Sequence, residues 1–337
     1  VAPHSLAAQS ALAVLREGGN AIEAMVAAAA TISVVYPHMN GIGGDAFWLL
    51  AAPGEALCAI DACGPAARAA TIEYYRARDL DRIPARGPLA ANTVAGTVGG
   101  WQQALAISRE RWNGKVPLAR LLEDAIHYAG SGVPVTASQE SNTRSKRAEL
   151  ENVPGFRDCF MPDGEIPKIG ALFSQAQLGA TLRRLAEAGL DDFYRGDLAR
   201  AMALDLGSLG SPLSLSDLEA YTAKEVRPLE LAHSLGTLYN MTPPTQGIVA
   251  LAILGIAERL HLADLEPESA DYVHAIVEAT KAAFLEIRDR HVTDPAYMKV
   301  EPQSLLDSAH LDALAAGIDM RRARPWGGSS KPGGTIW

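Results

Sequence analysis

The chain opens with two stretches whose apolar residues recur at helical spacing. Ser5 to Glu17 places leucines among alanines and ends at Gly18-Gly19, a pattern typical of a helix with a glycine C-cap. Asn20 then precedes an alanine-rich apolar run from Ala21 to Tyr36, interrupted by Glu23. This run is too short and too weakly apolar to cross a bilayer. It therefore predicts a second helix, capped by Asn20 and packed inside the protein, and no membrane partner is expected.

Further along, helical segments outnumber strands. The apolar runs Phe47 to Ala52 and Leu57 to Ile60 flank Pro53-Gly54 and predict a hairpin, and Leu229 to Tyr239 predicts a strand. Helical spacing recurs in four later segments: Leu118 to His127, Ala176 to Ala188, Gly247 to Leu260 and Ala270 to Arg288. The pattern therefore indicates an α+β protein with helices stacked on sheet.

No internal repeat or low-complexity block divides the chain. We therefore expect residues 1–337 to form a single domain. The one clear loop signal is PWGGSSKPGG at residues 325–334, whose Gly, Ser and Pro content predicts a flexible linker.

Composition narrows the possible partners and the compartment. A net charge of −9 on 337 residues would repel a phosphate backbone, so nucleic acid is not expected as a partner. Cys58, Cys63 and Cys159 are too few for a disulfide framework, and the first two are interpreted as buried small hydrophobes. A cytoplasmic location is expected, with the periplasm as the alternative if a leader was removed upstream of Val1.

One glycine-rich segment invites a cofactor interpretation. Gly41 to Ala46 matches the dinucleotide pattern G-x-G-x-x-A, which requires a strand before it and a helix after it. Here a helix precedes and a strand follows, so a tight loop with glycine at positive φ is predicted instead. The histidines show no metal-ligand spacing, and His38 is interpreted as a hydrogen-bonded structural residue. Neither a metal nor an organic cofactor is expected.

Several short motifs follow one another in order over almost the whole chain. They are Gly18-Gly19-Asn20-Ala21, Tyr36-Pro37-His38, Gly41-Ile42-Gly43-Gly44, Leu89-Ala90 with Gly96 to Gly100, Asp192-Phe193-Tyr194-Arg195-Gly196, Pro243-Pro244 with Gly247, and Glu278 to Asp294-Pro295. This order resembles the gamma-glutamyltranspeptidase family. The resemblance implies an N-terminal-nucleophile hydrolase, a four-layer αββα sandwich cut from one precursor. This chain would be its large-subunit part, completed by a small subunit from the same precursor.

The resemblance also implies a nucleophile. In the family it is the new N-terminal threonine of the small subunit, and the matching position is Thr335, with Gly334–Thr335 as the processing site. A threonine hydroxyl is a weak nucleophile, but the α-amino group released by cleavage can serve as its base. The chain continues past this bond to Ile336 and Trp337.

Two positions bear on the substrate. The family's substrate-binding arginine lies in an A-T-R-[DE] setting, whereas this chain has Ala70-Thr71-Ile72-Glu73, and isoleucine cannot pair with a carboxylate. Arg68 or Arg76 could replace it, with an ordinary surface arginine as the other interpretation of both, and Arg68 is the candidate substrate-binding residue. Asp45 after the G-I-G-G motif resembles family members that act on other small amides.

The expected reaction is acyl transfer through a threonyl ester on Thr335. The substrate would be a small amide, gamma-glutamyl or related. The protein partner of this chain would be the small subunit. One alternative is a hydrolase of another amide, such as oxamate or a cephalosporin-type acyl amide. A further alternative is a non-catalytic structural or binding subunit.

Overall fold

The computed structural model describes residues 1–326, apart from the side chain of Asp163, and its chain divides into two compact units. Unit one comprises Val1–Phe47 and Ile60–Lys224, and unit two comprises Trp48–Ala59 and Glu225–Trp337, of which residues up to 326 are described. The single domain expected from the sequence stays a prediction. The linker expected at 325–334 lies almost wholly outside the described residues.

Unit one is built mainly from helices. Its described helices are α1 (Ser5–Arg16), α2 (Ala21–Val35), α3 (Ile72–Arg76), α4 (Thr97–Arg111), α5 (Leu118–Ser131), α6 (Ala137–Leu150), α7 (Phe156–Phe160), α8 (Ala176–Ala188), α9 (Asp192–Arg195), α10 (Asp197–Ser208) and α11 (Leu215–Ala220), with a 3-10 turn at Pro162–Gly164. Helices α1, α4 and α5 pack against α2, and α8 packs against α5. Trp101 of α4 is fully buried in this core.

The first two helices form as the sequence predicts. The Asn20 side chain accepts the N–H groups of Ile22 and Glu23, while Glu23 returns a hydrogen bond to the Asn20 N–H, so each end of this capping box satisfies the other. Gly18 turns the chain with φ of 91°. A Cβ on Gly19 would lie 2.6 Å from the Val14 side chain, so the turn between α1 and α2 requires both glycines.

The strands are short. They are β1 (Ala46–Leu50), β2 (Cys58–Ala62), β3 (Val133–Pro134), β4 (Leu172–Phe173), β5 (Lys224–Val226), β6 (Leu229–His233) and β7 (Gly236–Asn240). In the described chain they form a sheet of order β1-β2-β5 and two strand pairs, β3-β4 and β6-β7. The predicted pairing of the runs around Pro53-Gly54 is confirmed, because β1 and β2 are neighbours. The mixture of helix and sheet confirms the α+β class.

One predicted strand proved to be two. Leu229–Tyr239 is an antiparallel hairpin in which His233 pairs with Gly236. Gly236 has φ of 130°, and the Leu235 N–H donates to the His233 ring. The alternating apolar pattern continues through Leu235, which is 90% exposed, and this continuity hid the turn.

Unit two buries its core around α12 (Gly247–Arg259), α13 (Ala270–Ala283) and α15 (Ser308–Ala316), with β6 packed against α12. A Cβ on Gly255 would lie 2.7 Å from Leu311, so glycine lets α12 and α15 approach closely. Predicted as one helix to Arg288, α13 instead passes into a π-helical turn at Phe284–Arg288. The remaining described elements are α14 (Asp289–His291) and 3-10 turns at Leu262–Asp264, Pro295–Tyr297 and Pro302–Leu306.

None of the helices in residues 1–326 has the length and apolar character needed to cross a membrane.

Candidate functional site

The segment from Gly41 to Gly44 is an open loop between α2 and β1. The predicted order of helix, loop and strand is confirmed, and it excludes the dinucleotide interpretation. The predicted positive φ is wrong, because none of these glycines is among the described residues with that conformation. A Cβ on Gly41, Gly43 or Gly44 would have no atom of the described chain within 4 Å. Within residues 1–326, neither backbone strain nor packing therefore requires these glycines.

The far end of this loop is fastened to the start of α4. The Gly44 carbonyl accepts the N–H groups of Gly96 (2.8 Å) and Thr97 (2.9 Å) and the Thr97 hydroxyl at 2.9 Å. That hydroxyl also lies 3.1 Å from the Asp45 carbonyl. The next residue, Asp45, is thus held at a fixed place on unit one although its surroundings are open.

Asp45 is the centre of a polar cluster. Its carboxylate accepts the Gly64 N–H at 3.0 Å and the Cys63 thiol at 3.6 Å. The Cys63 N–H in turn donates to Asp61 at 2.9 Å. A Cβ on Gly64 would collide with the Val94 carbonyl, so glycine is required there. These contacts fix the carboxylate, and each of its oxygens can still accept a further hydrogen bond.

The predicted burial of Cys63 as a small hydrophobe is wrong. Cys58 and Cys63 are both half-buried. Cys63 lies where the chain leaves β2, so its thiol reaches the polar Asp45 side chain rather than the core.

Tyr221 is a buried residue next to this cluster. Its ring is 5% exposed, and its hydroxyl donates to the Gly96 carbonyl at 3.4 Å. Burial raises the pKa of Tyr221 strongly, and the negative charges of Asp61 and Asp45 raise it further. Tyr221 therefore stays a neutral donor, and the cluster presents acceptors with negative charge. Such a surface suits a ligand that donates N–H groups and disfavours an anion.

Ile72 lies on the surface of unit one. It is the first residue of α3, after the Thr71 hydroxyl caps the helix by accepting the Tyr74 N–H, and it is 64% exposed. The side chain that stands at the family's arginine position thus faces outward and offers no charge.

Arg68, the candidate replacement, is exposed and lies beside Asp217. Its N–H donates to the Asp217 carboxylate at 3.2 Å. Burial would raise the pKa of Asp217, but hydrogen bonds from Ser214 and Arg68, together with the Arg68 charge, outweigh burial and lower it. The role of Arg68 in substrate binding stays a prediction.

The motif Asp192 to Gly196 contacts the residues that hold the cluster in place. This supporting role was not predicted from the sequence. The buried Tyr194 hydroxyl accepts the Gly99 N–H and donates to the Ala95 carbonyl, each at 2.8 Å. The Arg195 guanidinium donates to the Tyr221 carbonyl at 2.6 Å. This motif therefore holds both the start of α4 and Tyr221. A cavity of about 290 Å³ lies beside Tyr194, Arg195 and Tyr221.

Gly334 and Thr335 lie outside the described residues. His38 forms the predicted hydrogen bond, with its Nε2 lying 3.0 Å from the Ser138 hydroxyl, and burial lowers its pKa. Residues 1–326 contain no group of three or more His, Cys, Asp or Glu side chains able to hold a metal ion.

Comparison with known proteins places the chain in a family. The family model described as gamma-glutamyltranspeptidase matches residues 7–335. An oxamate amidohydrolase proenzyme of Klebsiella pneumoniae is 55% identical over 337 residues, which are 100% of this chain and 63% of that protein. This chain thus spans less than two thirds of that relative.

Solved structures give the same result. A gamma-glutamyltranspeptidase from Pseudomonas nitroreducens, complexed with L-DON, is 30% identical with a TM-score of 0.86, covering 96% of this chain and 95% of that one. A cephalosporin acylase from Bacillus halodurans is 31% identical with a TM-score of 0.84, covering 93% and 58%. The N-terminal-nucleophile hydrolase fold predicted from the sequence is confirmed by this likeness. On sequence and structure alike, the chain belongs to the gamma-glutamyltranspeptidase family.

Proposed function

We propose that this chain is the large-subunit part of an autoprocessed amidohydrolase that cleaves a small amide, with oxamate as the favoured substrate. The observation that carries the proposal is the 55% identity, along the whole of this chain, to a protein named oxamate amidohydrolase proenzyme. The exposed Ile72 counts against a gamma-glutamyl donor, because the α-carboxylate of that donor would find no charged partner there. The Asp45 cluster can accept the amide N–H groups of oxamate, and we assign the group that binds the oxamate carboxylate to a place outside this negatively charged cluster.

Maturation in this proposal begins at Gly334. The Thr335 hydroxyl attacks the Gly334 carbonyl, its proton passes to the Thr335 nitrogen, and the peptide C–N bond gives way to an ester. Water then hydrolyses that ester. The products are a chain ending at Gly334 and a second subunit whose first residue, Thr335, carries a new α-amino group.

Catalysis reuses the same hydroxyl. The Thr335 amine takes the hydroxyl proton while the oxygen attacks the substrate's amide carbon, and the proton then passes to the departing ammonia. Water attacks the resulting ester, which releases the acid and restores Thr335. With oxamate the products are oxalate and ammonia. We assign the groups that stabilise the oxyanion to the second subunit.

A cephalosporin-type acyl amide is the second candidate substrate. The likeness to a cephalosporin acylase, with a TM-score of 0.84, supports it, and the uncharged Ile72 counts against the gamma-glutamyl donor. Both candidates share the threonyl ester and differ only in the acyl group that the site admits.

The test uses the full-length precursor that carries this chain. We expect two bands on a denaturing gel and a higher kcat/KM for oxamate than for a gamma-glutamyl anilide. Thr335→Ala should remain one band and lose activity by about a thousand-fold or more, while Thr335→Ser, which keeps a hydroxyl, should still be cleaved. Normal cleavage of Thr335→Ala would contradict the nucleophile assignment. A chain that is neither cleaved nor active on any amide would instead support a non-catalytic subunit.

A further inference from the structure

Unit two contains a buried ion pair that the proposed chemistry does not use. Glu278 and Lys281 lie one turn apart on α13 and are 2% and 9% exposed. The Lys281 ammonium donates to the Glu278 carboxylate at 2.7 Å. Burying two charges costs several kcal/mol per ion unless further hydrogen bonds satisfy them. The partners that satisfy this pair therefore indicate its role.

Those partners are the two polar backbone groups of a single residue. The Lys281 ammonium donates to the Arg324 carbonyl at 2.7 Å, and the Arg324 N–H donates to the Glu278 carboxylate at 3.1 Å. Burial alone would raise the pKa of Glu278, but the hydrogen bonds from Lys281 and Arg324 outweigh it and lower the pKa. Holding both the N–H and the C=O of Arg324 fixes the position and direction of the chain there.

In the part of the chain that the structure describes, few other contacts hold this segment. Residues 321–326 are all exposed, so apolar burial contributes little to keeping them in place. The Arg324 guanidinium donates to Glu286 at 2.8 Å, and the Trp326 ring lies 5.9 Å from that of Phe284. The Arg324 and Trp326 side chains that make these contacts are exposed. The buried pair on α13 is therefore the principal anchor.

Arg324 precedes Gly334 by about ten residues, so at most about 35 Å of extended chain separates the anchor from the cleavage site. We propose that the Glu278–Lys281 pair is a positioning element for maturation, which fixes the start of the segment that carries the Gly334–Thr335 bond. This inference rests on the proposed cleavage before Thr335. A tethered end raises the local concentration of the bond at the place where it must react. Without the anchor, that bond would search a larger volume.

The anchor binds the backbone of Arg324. Two substitutions at this exposed position can therefore distinguish the effect of the backbone hydrogen bonds from the effect of the side chain. Arg324→Ala removes the pair with Glu286 but keeps both backbone hydrogen bonds. Arg324→Pro also removes the N–H that Glu278 accepts. Proline suits this place because the residue before Pro325 already favours extended backbone. We expect Arg324→Ala precursor to mature at nearly the wild-type rate and Arg324→Pro to mature about ten-fold more slowly.

A third variant tests the pair itself in the full-length precursor. Glu278→Met with Lys281→Met replaces the ion pair by apolar side chains, which is often neutral for folding. We expect slow cleavage on a denaturing gel, a Tm within a few degrees of wild type, and unchanged kcat/KM once cleavage is complete. Equal maturation rates for Arg324→Pro and Arg324→Ala would overturn the anchor while leaving the proposed function intact. An uncleaved wild-type precursor would overturn the proposed function, and this inference with it.

Discussion

Ile72 is the single side chain that bears most directly on which substrate the protein accepts. It begins α3, follows a capping threonine and is 64% exposed, so a longer side chain can be placed there without disturbing the core. An arginine at this position could donate two hydrogen bonds to a carboxylate. Arg68, four residues earlier, already engages Asp217 through its N–H. Specificity at this position can therefore be changed without changing the fold.

Ile72→Arg is expected to raise kcat/KM for a gamma-glutamyl anilide by roughly ten-fold to a hundred-fold, because a charge-assisted contact contributes about 1.5 to 3 kcal/mol. Turnover of oxamate should change much less. Parallel kinetics on both substrates, with Ile72→Met as the uncharged control of similar length, would measure this. If the wild-type enzyme already prefers the anilide and Arg68→Ala abolishes that preference, Arg68 is the carboxylate partner and the inference from Ile72 is wrong.

The short helix α9 and the start of α10 are joined by one buried carboxylate. Asp192 is 8% exposed and accepts both nitrogens of the Arg184 fork, at 3.1 and 3.0 Å. It also accepts the N–H groups of Asp197 and Leu198 at the start of α10. A Cβ on Gly196 would collide with this carboxylate. The D-F-Y-R-G motif is thus a structural brace, whose tyrosine and arginine reach α4 and Tyr221.

Asp192→Asn should lower the apparent free energy of unfolding by about 2 kcal/mol at pH 7, since an amide cannot accept all of these donors. Hydrogen bonds from Arg184 lower the pKa of Asp192 below its ordinary value. Because the folded pKa is the lower one, this stabilisation is present above the unfolded pKa and is lost as pH falls through the folded pKa. Urea unfolding between pH 7 and 3 should show the two proteins converging below about pH 4.

The matched control is Asp191→Asn. Asp191 pairs with Arg195 at 2.6 Å, but its side chain is 53% exposed, so the loss should be about 0.5 kcal/mol or less. Equal losses for the two variants would show that burial of Asp192 does not set its contribution.

At the scale of the whole molecule, features formed by neighbouring residues were predicted well from the sequence, whereas features that bring distant residues together were not. Asn20 was predicted as the cap of α2 from its neighbours in the sequence, because a cap is a local structure. The cluster around Asp45 could not, since Cys63 comes from 18 residues further on and Tyr221 from another element. The turn inside the β6–β7 hairpin was hidden by an apolar pattern that continues through it. The family motifs indicated the site's location but not which side chains meet there.

The chain also spans only 63% of its oxamate amidohydrolase relative, and β1 at the edge of its sheet exposes Phe47 by 40% and Leu49 by 42%. Exposed apolar residues on an edge strand favour association. We therefore expect residues 1–337, expressed alone, to elute from size exclusion as aggregates, and the full-length precursor to elute as a defined species. A monodisperse monomer with cooperative unfolding would contradict this expectation.

Substitutions in the open loop at Gly41, Gly43 and Gly44 can change the shape of the site with little effect on the stability of the fold. Side chains added at most core positions must be matched by changes in their neighbours, whereas a Cβ at these three positions meets no atom of the described residues within 4 Å. Variation there can alter what the Asp45 cluster admits while the packing of unit one stays as it is. For directed evolution, a small library at these three codons is therefore an economical way to search for new amide substrates.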